Sequence, residues 1–99
     1  MYWLLRYQLV DDYLERRAPL REAHLALARA AQERGELRLA GALADPADEA
    51  ILVFMTDEVS VVEDFARNDP YVNERLVTSW TVRHWNVVIG ADAPADGAP

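Results

Sequence analysis

Along this chain the spacing of apolar residues changes from a period of two to a period of 3.6 and back, twice over. That order constrains the fold more than any single motif. Alternation puts successive side chains on opposite faces of a strand, whereas recurrence every three or four residues stripes one face of a helix. From Tyr2 to Val10 the period is two. Trp3, Leu5, Tyr7 and Leu9 share a wholly apolar face, and Tyr2, Leu4, Arg6 and Gln8 share one that turns polar. Asp11 to Ala18 is a charged connection. Pro19 then suits a first helical turn, and the Ala- and Leu-rich run to Arg34 closes on Gly35, a fitting residue just past a helix end. Its inward stripe is Leu20, His24, Leu27, Ala28 and Ala31.

Two short extended segments follow, Leu37 to Leu43 and Glu49 to Thr56, joined by Ala44-Asp45-Pro46-Ala47-Asp48. Pro and Asp between apolar runs predict an antiparallel hairpin. The second segment is almost continuously apolar, as befits a strand covered on both faces. Gly41 in the first predicts a bulge or a close approach by another group. Ser60 to Asn68 reads as a second helix with Val61, Val62 and Phe65 inward, capped by Thr56 or Asp57 and stopped at Asp69-Pro70. Glu74 to Ile89 is rich in Thr, Val and Trp and reads as one long strand.

Strand, helix, strand, strand, helix, strand is a ferredoxin-like βαββαβ unit of the α+β class. Right-handed crossovers make it a four-stranded antiparallel sheet with both helices on one face. One domain, residues 1–90, accommodates it, and residues 91–99, ADAPADGAP, have the composition of a disordered tail. The sheet's other face would be bare. With 52% hydrophobic residues in a chain of 99, its apolar members need cover. A second copy supplies it, which predicts a homodimer in which two sheets pack face to face as an α/β barrel enclosing a cavity.

Composition also excludes classes of function. A net charge of −7 opposes binding to nucleic acid and to anionic membranes. Without cysteine there is no disulfide, no thiolate nucleophile and no sulfur-bound metal, and two histidines are a thin basis for any metal site. No metal or cofactor is therefore expected. The opening segment is too short and too interrupted by Arg6 for a signal peptide or membrane span, which predicts a cytoplasmic protein.

Two residues stand out as an acid/base pair. His24 lies on the apolar stripe of the first helix, where a histidine is either a satisfied core residue or a proton carrier at cellular pH. Asp69 is either a plain helix stop or, where the two helices meet side by side, the acceptor that fixes the histidine's tautomer. Arg16, Arg17 and Arg21 also cluster, either as a solvated helix start or as an anion-facing rim beside a cleft.

Together these features resemble the YciI-like (YCII-related) family. The resemblance rests on the aromatic first strand, Arg16-Arg17…Arg21-x-x-His24-Leu25, Gly35-x-Leu37, Gly41 and Phe65-Ala66-x-x-Asp69-Pro70-Tyr71, and spans Tyr2 to about Ile89. It implies a dimeric α/β barrel and a His–Asp active site at His24 and Asp69. One related branch removes chloride from a chlorinated hydroxyquinol, and structurally similar enzymes isomerise muconolactones. The resemblance thus implies lyase- or isomerase-type proton transfer on a small cyclic or aromatic acid bound in the barrel cavity. Arg6, Arg16 or Arg21 would hold the acid, with Tyr71 and His84 as further ligand contacts. The polar, aromatic strand end Arg83-His84-Trp85-Asn86 departs from the family pattern. Two other classes fit the same residues: a non-catalytic module that binds a small ligand or accompanies an enzyme, and a purely structural interaction module.

Overall fold

The computed structural model describes residues 1–90. The tail expected at residues 91–99 lies outside the described residues. The first strand, β1 (Tyr2–Leu9), is central, because its period-two pattern gives it two usable faces. It pairs antiparallel with β3 (Glu49–Met55) on one side and with β4 (Val77–Trp85) on the other, and β2 (Leu37–Ala42) closes the far edge against β3. The four-stranded order is β2-β3-β1-β4. The segment AILVFM, apolar on both faces, indeed lies inside the sheet as most of β3.

The long helices are α2 (Arg21–Glu33) and α3 (Val59–Asn68). Both pack on the face presented by Leu5, Tyr7, Leu9, Ala50, Leu52 and Phe54. There Ala28 and Ala31 of α2, with Val62, Phe65 and Ala66 of α3, complete one core. Gly35 ends α2 at φ +81°, a backbone conformation that glycine adopts without strain. Among the described residues, no helix is long and apolar enough to cross a membrane.

Several local expectations need correction. The charged connection after β1 contains a helical turn, α1 (Tyr13–Arg16), because Tyr13 is apolar enough to be pulled into the core. Pro19 sits in a 3-10 turn, Ala18–Leu20, and α2 starts only at Arg21. The residue capping α3 is Glu58, with no side-chain cap. The Thr56 hydroxyl instead accepts from the Glu58 N–H at 3.1 Å, and Asp57 faces the N-terminal ammonium at 3.6 Å. A further short helix, α4 (Pro70–Asn73), follows α3 directly.

Gly41 is not at the bulge: the register of β2 shifts between Leu37 and Leu39, and a Cβ at Gly41 would meet nothing within 4 Å. The last strand is shorter than Glu74–Ile89. Its start is consumed by a turn in which Arg75 takes φ +64°, and its pairing ends at Trp85, which lies opposite Tyr2, the first residue of β1. Beyond that point the sheet offers no partner strand.

Candidate active site

Asp69 is held where α3 ends and α4 begins. Its backbone is extended, as the residue before a proline must be, so the chain turns sharply and the carboxylate points inward. The side chain is fully buried. Its Oδ1 accepts the Tyr71 backbone N–H at 2.9 Å, which caps α4. Its Oδ2 accepts the Tyr7 hydroxyl at 2.8 Å. A buried carboxylate is tolerated only when such donors replace its lost hydration.

The remaining donor is His24. Its position on the inward stripe of α2 brings Nδ1 to 2.9 Å from Oδ1 and 3.0 Å from Oδ2, with the side chain 13% exposed. In the neutral ring Nδ1–H donates to the carboxylate and Nε2 keeps its lone pair. The other nitrogen is thereby left to act as base. The Tyr71 ring lies flat against the imidazole, with centroids 3.9 Å apart and planes within 9°. Tyr13 meets Tyr71 edge-on at 5.7 Å. These two rings restrict how far His24 can turn.

Beside His24 is a cleft of about 150 Å³ between α2 and the sheet. Tyr7, Tyr13, Arg17, Arg21, His24 and Tyr71 contribute to its walls, and Ala40 to Ala42 of β2 close the opposite side. Larger hollows exist. One of about 270 Å³ lies near Phe54 and Phe65, and one of about 480 Å³ is bordered by Asp11, Asp12, Glu15 and Asp48. Neither is lined by a histidine. His24, bonded to a buried carboxylate, lines the smaller cleft, and a histidine so held is a better mark of a site than volume. Among the described residues, no three metal-ligating side chains gather.

Burial, followed by the charge and hydrogen bond of Asp69, pushes the Tyr7 phenol far above the ordinary tyrosine range. Tyr7 is thus a permanent donor. Burial also raises Tyr71, aided by Tyr13, while the guanidiniums of Arg21 and Arg17 pull it the other way.

Of the residues singled out from sequence, His24, Asp69, Tyr71 and Arg21 are brought together. Arg6 is not: it lies on the sheet's opposite face, bonded to Glu49 at 2.7 Å. Arg16 points to solvent and faces Asp12 at 3.7 Å. His84 is exposed near Trp3, its ring 5.2 Å from the indole. That is four residues along β1 from Tyr7, or roughly 13 Å at the usual strand rise. Alternation explains Arg6, and the end of pairing at Trp85 explains His84.

Sequence reasoning missed Tyr7 and Tyr13 as parts of the site. Tyr7 carried a signal: a phenol on an otherwise apolar face needs a partner for its hydroxyl. Arg17 stood in the recognised cluster, and its guanidinium now lies over the Tyr13 ring, 5.4 Å from the centroid.

Comparison with known proteins agrees with the fold. No curated protein matches the sequence. Among solved structures, the chain is similar to 5-chloro-2-hydroxyhydroquinone dehydrochlorinase from Burkholderia phenoliruptrix AC1100, in complex with 2,5-dihydroxybenzoquinone. The TM-score is 0.72 and the identity 19%, over 86% of this chain and 93% of that one. The family model for the YCII-related domain matches residues 1–86, and the chain belongs to that family.

Proposed function

We propose that this YCII-related protein is a homodimeric small-molecule enzyme in which His24 moves a proton on a small cyclic or aromatic acid. The observation that carries the reading is the 2.9 Å bond to a fully buried Asp69 from Nδ1 of His24, which itself lines a cleft. Nε2 would take a proton from a carbon beside a carbonyl, leaving the C–H electron pair in an enolate. Return of that proton to another carbon is an isomerisation, and expulsion of an anionic leaving group by the same electrons is an elimination. Asp69 holds the ring orientation and favours the imidazolium that forms. Arg21, with Arg17 beside it, balances the enolate or carboxylate charge.

Two further facts support this reading. The solved relative is a dehydrochlorinase crystallised with a small quinone. The bare sheet face carries Leu4, Leu39 and Val53, which a second copy would cover.

The test is transfer of deuterium from D₂O into a panel of small ring acids and lactones, including 2,5-dihydroxybenzoquinone and muconolactone, followed by NMR. We expect exchange in at least one compound, and a loss of about two to four orders of magnitude in His24→Ala with the protein still folded. Exchange that survives His24→Ala would remove the assigned role. Saturable binding without exchange in any compound would favour the non-catalytic binding module instead.

A further inference from the structure

Proton transfer by His24 leaves one feature of the cleft unused. Tyr71 is 2% exposed and its ring lies against His24, yet its hydroxyl makes no hydrogen bond of good geometry; Arg21 approaches it as a donor, which leaves the phenol proton without an acceptor. Buried phenol hydroxyls ordinarily find one, because leaving the O–H unmatched costs free energy. Tyr7 provides the contrast within the same cleft, since its hydroxyl is fully committed to Asp69. The Arg21 guanidinium acts on the Tyr71 hydroxyl by hydrogen bonding and by charge, and Arg17 by charge alone. Neither arginine has a carboxylate within ion-pairing distance among the described residues. In a chain with 17 acidic residues against 10 basic ones, two guanidiniums without carboxylates beside an unmatched hydroxyl describe a binding site for an anion.

We propose that Tyr71 Oη and the Arg21 guanidinium form a two-donor clamp for an anion whose two oxygens lie side by side on one small ring. The clamp deepens the function proposed above by naming the ligand class of the same cleft. One oxygen takes a charge-assisted bond from Arg21, and the other accepts the Tyr71 proton. The volume sets the size: a cavity of about 150 Å³ takes up a single benzene-sized ring. The paired oxygens can belong to a ring carboxylate, or to neighbouring ring carbons as in an enolate beside a carbonyl.

Calorimetric titration of the protein separates these two sources. Benzoate carries both oxygens on one carbon, and tropolonate carries them on adjacent ring carbons. The wild type is expected to bind at least one saturably, and the tighter of the two identifies the source. Tyr71→Phe should weaken that binding by on the order of ten- to a hundredfold, and Arg21→Met comparably. Binding of neutral benzyl alcohol should not respond to Tyr71→Phe. The melting temperature of Tyr71→Phe should hold or rise, because the removed hydroxyl donated to no acceptor.

Undiminished anion binding in Tyr71→Phe overturns the clamp, and so does failure of the wild type to bind either anion. A fall in melting temperature with affinity unchanged also overturns it, by making the hydroxyl structural. The clamp and the catalytic role fail separately. Deuterium exchange that survives His24→Ala while Tyr71→Phe weakens binding removes the role of His24 and leaves the clamp standing.

Discussion

The two faces of the sheet are built from the same strands, often from adjacent residues, and they solve opposite problems. On the helix side, Tyr7 is fully buried and donates to Asp69, which is also fully buried and holds His24. One residue away, Arg6 lies on the other face in a half-exposed pair with Glu49, an arrangement usually worth less than about 1 kcal/mol. Polar groups on the helix side are therefore few, fixed and costly to disturb, whereas those on the bare side are solvated and dispensable. The apolar residues reverse this contrast. Those facing the helices are covered, while Leu39 and Trp85 on the bare side are 71% and 46% exposed. Under the function proposed above, a chain that folds this way would keep its chemistry on one face and its means of association on the other.

The sharpest way to break that division is to charge the bare face. Val53 lies on it, directly opposite Leu4 and Leu39 of the neighbouring strands. If a second copy covers this face, Val53→Asp buries an unpaired carboxylate at the interface, which costs several kcal/mol and weakens the dimer at least about a thousandfold. Light scattering should then report a monomer whose circular dichroism is unchanged. A mass unaffected by the substitution would mean that the proposed interface lies elsewhere.

The next largest effect is expected on the opposite face. Asp69→Ala removes the acceptor of three donors at once: the Tyr7 hydroxyl, the Tyr71 N–H and His24 Nδ1. Urea unfolding should show a loss of about 3 kcal/mol. Asp69→Asn, which keeps one carbonyl oxygen, should lose less. A cost for the alanine variant below about 1 kcal/mol would show that water readily replaces the carboxylate, and that the helix side is no more exacting than the bare side.

The sequence reveals these faces unevenly. Period and turn chemistry recover the sheet, the two long helices and the inward stripe that carries His24, because those signals are local. The meeting of His24 with Asp69 is long-range; spacing permits it, and only the packing of α2 beside the α3–α4 junction produces it. Arg6 and His84 lie outside the cleft for the same reason. Each is the right residue type for a ligand contact, but strand register sends Arg6 to the bare face and places His84 against Trp3, well along β1 from the cleft. The short helices α1 and α4 escaped because each is a single turn whose anchor, Tyr13 or Tyr71, is drawn inward by tertiary contacts rather than by helical propensity.

The smallest effect is the most specific to the helix side, and alkaline pH exposes it. Burial and Asp69 raise the Tyr7 pKa, so the folded protein keeps a proton that the unfolded chain releases near pH 10. Above that pH the unfolded state binds fewer protons than the native one, and stability must fall as pH rises; below it the contribution is fully present. The slope from Tyr7 is about 1.4 kcal/mol per pH unit. Melting curves taken between about pH 8 and pH 11 should therefore descend more steeply for wild type than for Tyr7→Phe, which has no proton to lose. The variant should start lower by about 1 kcal/mol, because Asp69 loses a donor, and the gap should narrow above pH 10. Parallel curves would mean that Tyr7 titrates alike in both states, and that the sealed Tyr7–Asp69 contact separating this face from the other opens to water.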